Sequence, residues 1–331
     1  MVAVTGATGH LGTSLVHRLL AGGEEVVCLV RPGSRSPGLE RNGSSSARPL
    51  RREIDLFDPD EVTAAIRGAE VVYHSAALVS FMPGHEEELY RVNVGATSVL
   101  VEAARRAGVR RLVYVGSVEA FPLEYGPYPI TDDHPIDPDR TVMAYGRTKA
   151  IATRLVLDAN SNELECVVCC PTALFGPPDY RRSPFGAFVL DSARGALPAS
   201  VDGGFDFADV RDVADGIVSA ARDGVPGRLY LLSGRYVTVS ELLDALAAHT
   251  GARVPGLKLP VGVVLPFAPL VELYYRVSGR PPRFTRNSLR LLSLGVRFDA
   301  SRARAELGYA SRPLEETIAD TVAWFAGEGL L

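Results

Sequence analysis

Short runs of valine and other apolar residues alternate along the chain with longer stretches whose apolar positions recur every three or four residues. Val2–Val4, Val26–Val30, Ile54–Leu56, Val71–His74, Leu112–Val115 and Cys166–Cys170 read as six strands. Between them the helical rhythm predicts helices over Leu11–Ala21, from Asp58 toward Arg67, over Glu86–Ala107 and over Val142–Asn160. Asp58-Pro59 supplies a start signal, an N-cap carboxylate followed by a proline where no donor is missed. Valine-rich strands alternating with helices predict an α/β fold, a doubly wound parallel sheet covered on both faces.

The rhythm breaks twice. Arg31–Arg52 is a Gly/Ser/Arg/Pro-rich stretch where a crossover helix would be expected, and it reads as a largely flexible loop. After Cys170 the pattern is irregular, with helices near Val210–Arg222 and Ser240–Thr250 and a last amphipathic helix ending at Trp324-Phe325. This predicts a nucleotide-binding domain over 1–175, rejoined by 205–235, and a smaller substrate lobe built mainly from 176–204 and 236–331. A length of 331 residues suits two such units, and a hydrophobic fraction of 47% with 22% charged residues is ordinary for a globular chain.

Charge and cysteine usage narrow the function. A net charge of −4 gives no general attraction to nucleic acid or anionic lipid. The apolar stretch Leu259–Tyr275 contains Pro260, Pro266, Pro269 and Glu272, so no transmembrane helix is expected, and a lipid-facing or substrate-facing role stays open. The chain opens directly on a strand, so neither a secretory leader nor a location outside the cytoplasm is expected. Cys166 and Cys169 match C-x-x-C, but a period of two puts them on opposite faces of a strand, as core residues. No H-x-x-x-H spacing occurs, and no metal is expected. Of 35 cationic residues only two, Lys149 and Lys258, are lysine.

Gly6, Gly9 and Gly12 follow the first strand and open the first helix, in Thr5-Gly6-Ala7-Thr8-Gly9-His10-Leu11-Gly12. Glycines there permit a tight turn and a close backbone approach to a pyrophosphate held by N–H groups at the helix end. The G-x-x-G-x-x-G spacing resembles that of the extended short-chain dehydrogenase/reductase family, and later motifs extend the resemblance over nearly the whole chain. It implies a Rossmann-type domain with a cofactor cradle at Gly6, Thr8, Gly9, His10, Leu11 and Gly12. It also implies adenine contacts at Asp55-Leu56, a small-residue turn beside the cofactor at Ser75-Ala76-Ala77, and cofactor contacts at Pro171 and Thr172. The second strand ends in Arg31, with Arg35 nearby and no acid before Glu40, which favours NADP(H) over NAD(H).

Tyr145-Gly-Arg-Thr-Lys149 places a phenol and an ammonium on one helical face. A nearby cation lowers a phenol's pKa, and Lys149 together with a nicotinamide ring would supply that sign. Ser117, at the C-terminal end of the fifth strand, is the third candidate catalytic residue. The family often writes Ser-Ser there, and this chain has Gly116-Ser117. Tyr145 would exchange a proton with a carbonyl oxygen, Lys149 would hold the ribose, and Ser117 would orient the carbonyl. Asn93 resembles the family's asparagine that supports the lysine, directly or through water.

Pro171-Thr-Ala-Leu-Phe-Gly-Pro177 leads toward the substrate lobe, and Thr172 and Ala173 stand where sugar-nucleotide enzymes usually carry asparagine. The phrase is closer to dihydroflavonol reductases and 3β-hydroxysteroid dehydrogenases. Leu257–Tyr275 and Phe81, Phe121, Phe185 and Phe188 would suit an apolar substrate. The expected activity is NADPH-dependent reduction of a hydrophobic ketone or aldehyde. A sugar-nucleotide epimerase or dehydratase and a non-enzymatic NADP-binding scaffold are the alternatives. Helices Glu86–Ala107 and Val142–Asn160 resemble those forming the family's four-helix dimer interface, which implies a homodimer.

Overall fold

The structure is a computed structural model that describes residues 1–41, 47–123, 129–278 and 285–331, without the side chains of 274–276 and 278. Its strands are β1 (Val2–Thr5), β2 (Val26–Val30), β3 (Leu50–Glu53), β4 (Val71–His74), β5 (Arg111–Val115), β6 (Glu165–Pro171), β7 (Ala173–Phe175), β8 (Ser200–Val201), β9 (Gly204–Asp209), β10 (Leu229–Leu232), β11 (Arg235–Thr238) and β12 (Lys258–Leu259). The helices of the first half are α1 (His10–Ala21), α2 (Pro37–Glu40), α3 (Pro59–Ile66), α4 (Glu86–Tyr90), α5 (Ala96–Ala107) and α6 (Ala144–Asp158). Those of the second half are α7 (Pro184–Ala193), α8 (Val210–Asp223), α9 (Val239–Thr250), α10 (Val261–Val264), α11 (Ala268–Ser278), α12 (Arg286–Leu294), α13 (Ser301–Leu307) and α14 (Leu314–Gly327).

Seven parallel strands form the main sheet in the order β10-β6-β5-β4-β1-β2-β3. The chain reverses direction across the sheet between β1 and β4, and open α/β sheets bind ligands at the carboxyl ends of strands flanking such a point. Two cores cover the two faces. Val4, Cys28 and Cys169 belong to one, and Ala3, Cys166 and Cys170 to the other, so the C-x-x-C pair does point opposite ways. All four thiols are buried and free.

The third strand is the clearest departure from the sequence reading. Apolar Ile54–Leu56 was the expected strand, whereas β3 is the preceding Leu-Arg-Arg-Glu segment. It lies at the sheet edge with three of its four residues exposed, where charged side chains cost nothing and an apolar signature is not required. The expected loop over Arg31–Arg52 therefore contains the first three residues of this strand and the short α2, and its residues 42–46 lie outside the described residues. The helix expected over Glu86–Ala107 is continuous but passes through a π-helical turn at Arg91–Gly95, which carries Asn93.

The return to the sheet is made by α8, which packs against α1, and by β10. Ala300, Ala303, Leu307 and Tyr309 join the same core. The remaining elements build a second lobe. Phe175, Phe185, Phe205 and Phe207 pack edge to face around the sheet β11-β9-β7, under α7, α9 and α14. A smaller cluster holds Val261, Ala268, Leu289 and Leu292 together. Among the described residues no helix is long and apolar enough to cross a membrane.

Candidate active site

The turn from β1 into α1 can be built only with glycine at two of its three positions. Gly6 has φ +67°, and a Cβ there would lie 2.6 Å from the Ala76 nitrogen. A Cβ on Gly12 would lie 2.1 Å from the Gly6 carbonyl oxygen, so helix and turn touch backbone to backbone. Gly9 caps α1 without any side-chain hydrogen bond, and no acid stands in the first turn. The first N–H groups of α1 therefore face the turn without a side-chain acceptor, the donor set a phosphate needs. Thr8 is half-buried beside them and Leu11 is anchored in the core. The His10 ring donates to the Gly176 carbonyl at 2.7 Å, so its backbone N–H is what remains for an anion.

The turn after β4 lies against this cradle. Ser75 N–H donates to the Thr5 carbonyl and Ala76 N–H to the Thr5 hydroxyl, and Ala77 is exposed beyond them. A histidine that the sequence did not single out ties the two turns to the helix behind them. His74 is wholly buried, with Nδ1 2.7 Å from the Thr5 hydroxyl and Nε2 2.9 Å from that of Thr97. Because the Thr97 hydroxyl donates to the Asn93 carbonyl, Nε2 must be the donor and Nδ1 the acceptor. Burial and the nearby Lys149 ammonium push this imidazole down to about 3, which keeps it neutral.

At the far end of the cradle, Arg31 and Arg35 are exposed. An acid does reach this loop, from β3 instead of from the loop itself. Glu53 accepts from Gly33 N–H at 3.2 Å and pairs with Arg51 at 2.7 Å. Asp55 accepts from Phe57 N–H, and Leu56 leans half-buried on the core.

Tyr145, Lys149 and Ser117 come together at the carboxyl end of β5. Lys149 is 2% exposed, donates to the Val115 carbonyl at 2.6 Å and lies 4.4 Å from the Tyr114 ring centroid. Burial pushes its ammonium down to about 7. Ser117 caps a short turn by accepting from Glu119 N–H. A Cβ on Gly116 would lie 2.5 Å from the Cys170 sulfur, which explains glycine where the related sequences often carry serine.

The phenol behaves differently from the sequence expectation. Burial raises Tyr145 above the usual tyrosine range, the Glu119 carboxyl raises it further, and Ser117 acts the opposite way. The protein's own groups thus hold Tyr145 protonated instead of drawing it toward neutrality. Glu119 was also missed by sequence reading. Burial pushes its carboxyl up to about 8, and its Oε2 has no hydrogen-bond partner among the described residues. One signal was available, an acid two residues after Ser117 and before the helix that carries Tyr145.

Asn93 is not placed on Lys149. Its amide holds the Leu78 N–H and carbonyl at 2.8 and 2.9 Å and donates to the Thr148 hydroxyl at 3.0 Å. The π-helical turn directs it at α6 one residue before the lysine. Pro171 ends β6, and Thr172 is buried just beyond it.

Beside Tyr145 opens a cleft of about 410 Å³ lined by Phe81, Met82, Val142, Met143, Ile151 and Asn287, among others. Phe81 stands edge-on to the Tyr145 ring with centroids 5.8 Å apart. Of the four phenylalanines expected at the substrate, it is the one that lines this cleft. Phe121 is fully buried in the sheet core, and Phe185 and Phe188 pack into the second lobe's own core. Each fills interior space that aromatic content alone does not distinguish from a pocket wall.

Comparison with known proteins decides the family. Residues 2–233 match the model of the NAD dependent epimerase/dehydratase family. The chain belongs to that family. Its members here include extended short-chain dehydrogenase/reductase relatives. Sterol demethylase protein B of Methylococcus capsulatus is 38% identical over 99% of both chains. A 4-hydroxy-2-methyl-3-oxo-4-farnesyl-3,4-dihydroquinoline-1-oxide ketoreductase of Stigmatella aurantiaca is 31% identical over 99% of this chain and 98% of its own. Among solved structures, gox2253 superposes with a TM-score of 0.85 at 31% identity, covering 100% of this chain and 99% of that one. This is an oxidoreductase-type nicotinamide-cofactor fold, and the cradle's two obligatory glycines and its uncapped helix end fit such a cofactor.

Proposed function

We propose that this family member is an NADP(H)-dependent oxidoreductase that interconverts a ketone and an alcohol on an apolar, ring-bearing substrate. The observation that carries the reading is the position of Tyr145. Its phenol is held protonated by burial, it sits one helical turn before the buried Lys149, and it forms one wall of a cleft that carries Phe81, Met82, Val142 and Ile151 alongside Glu86 and Arg147. The two relatives described above are named for a sterol and for a farnesylated ring ketone, and such substrates suit the same cleft.

When bound, the nicotinamide supplies or accepts the hydride. In reduction the Tyr145 hydroxyl gives its proton to the carbonyl oxygen as that oxygen gains negative charge, and in oxidation the phenolate takes the proton back. Ser117 donates to the same oxygen and fixes its position. In its protonated form Lys149, held on the Val115 carbonyl and against the Tyr114 ring, stabilises the phenolate left behind. Phe81 and Met82 exclude water from the reacting carbon.

Preference for NADP(H) is supported by Arg31 and Arg35, both exposed at the end of β2, and by the pairing of Glu53 with Arg51. Helices α5 and α6 lie side by side with a groove between them bordered by Val101, Ile151 and Leu155, which suits self-association into a four-helix homodimer.

The substrate reading is tested by following NADPH absorbance with a panel of apolar ring ketones and, in parallel, with UDP- and dTDP-sugars. Oxidation of NADPH by ring ketones is expected. Conversion of a sugar nucleotide with every ketone inert would overturn it.

A further inference from the structure

Residues 251–297 differ in charge from the rest of the molecule. They carry eight cationic side chains and one acid, Glu272, whereas the remaining chain carries 27 cationic against 38 acidic. The same stretch concentrates the exposed large apolar side chains. Leu257, Val263, Phe267, Leu270, Leu273 and Val277 are each more than half exposed, reaching 66% at Leu270 and 80% at Val277.

The exposed residues form a face. Counting about 100° per residue, Phe267, Leu270, Val271, Leu273 and Val277 fall within an arc of roughly 160° on α11 and its lead-in turn. Ala268, on the other side, is buried, and α11 packs against α12. A surface helix ordinarily turns its polar side to water. This one is reversed, with its apolar stripe outward and exposed Arg253, Lys258, Arg286 and Arg290 nearby in the chain. No ion pair among the described residues engages those four cations. At 11 residues, with Pro266 and Pro269 at its start, α11 is too short to span a bilayer but suited to lying in its plane.

We propose that this face docks the protein on an anionic lipid bilayer, with α11 lying among the headgroups. Outward apolar side chains and a cationic flank are the two terms that together bind such a surface. A second copy of the chain fits less well, because a two-fold contact through this face would set the same positive charge against itself. The position also has a use. The Asn287 amide donates to the Phe81 carbonyl at 3.2 Å, and both residues line the Tyr145 cleft, so the docking segment adjoins the mouth through which a lipid-dissolved molecule would enter.

The test uses the full chain without substrate. Protein is pelleted with vesicles of phosphatidylcholine alone or with ~30 mol % phosphatidylglycerol. Binding to the anionic vesicles is expected, with the bound fraction falling about tenfold for the double variant Phe267→Glu, Leu270→Glu. It should fall several-fold for Lys258→Glu, Arg290→Glu and at high salt. Far-UV circular dichroism and NADP(H) binding should be unchanged in both variants, which separates lost docking from lost folding. Wild-type protein that stays in the supernatant with both vesicle types, or variants that pellet like wild type, would overturn the proposal. So would a dimer in sedimentation equilibrium that Leu270→Glu dissociates while vesicles bind nothing, since that assigns the face to a second copy.

Discussion

Lys149→Met should make the protein more stable and inactive together. Lys149 is 2% exposed, and burial holds its ammonium at about 7 instead of 10.5. At about 1.36 kcal/mol per pH unit, that difference corresponds to about 4–5 kcal/mol of native stability given up once the side chain is charged. Methionine removes the charge and fills similar space. Against this, the Val115 carbonyl loses a 2.6 Å partner, costing about 1–2 kcal/mol, and the contact with the Tyr114 ring disappears, costing about 1 kcal/mol. The net expectation near pH 7 is a gain of about 1–3 kcal/mol. The pH dependence carries a definite sign. Between pH 7 and 10.5 the unfolded lysine holds a proton that the folded one has released, so wild-type stability rises with pH in that window. Methionine shows no such rise, and the advantage of the variant shrinks and then reverses above about pH 9. Urea unfolding at pH 7 and pH 9.5, alongside an activity assay, measures both parts. A variant that is less stable than wild type at pH 7, by an amount that pH does not change, would refute the reasoning.

Lys149→Arg keeps the charge but adds volume to a filled site and cannot shed its proton, so activity should fall about 100-fold with a loss of about 1–3 kcal/mol in urea unfolding. Arg31→Ala should raise the KM for NADP(H) about tenfold and leave that for NAD(H) nearly unchanged. A variant that discriminates as well as wild type in parallel cofactor titrations removes the role assigned to Arg31. Glu119→Gln should abolish an ionisation near pH 8 from the pH–rate profile of reduction, because that carboxyl is raised to about 8 and its anion opposes the Tyr145 phenolate. An unchanged profile would mean that Glu119 does not act on the phenol.

The parts of this fold that were legible in the sequence are those where burial and local geometry act together. Strands β1, β2, β4, β5 and β6 lie inside the sheet, so valine and cysteine betray them. The glycine cradle was legible because backbone contacts at Gly6 and Gly12 admit no side chain. β3 was not, since an edge strand of Leu-Arg-Arg-Glu carries no apolar signature. Tyr145 and Lys149 were found through helical spacing, but the electrostatics of Tyr145 depend on Glu119, whose burial no local pattern reports. His74 was hidden for a similar reason. One polar residue ending an apolar strand reads as a solvated end, and its partners Thr5 and Thr97 lie 69 and 23 residues away. Asn93 was assigned to the lysine by resemblance, directly or through water, and its direct hydrogen bonds, made from the π-helical turn at Arg91–Gly95 that sequence periodicity does not register, go to Leu78 and Thr148.

The central claim is that a protonated Tyr145, one helical turn before Lys149, exchanges the substrate's proton. Its most direct test is Tyr145→Phe, which removes one oxygen and keeps the ring against Phe81. NADPH oxidation should be followed with a ring ketone that the wild type reduces, together with cofactor affinity by fluorescence titration. The account predicts a fall in kcat of about 100-fold or more with cofactor affinity within about twofold of wild type. A phenylalanine variant that turns over at the wild-type rate would contradict it.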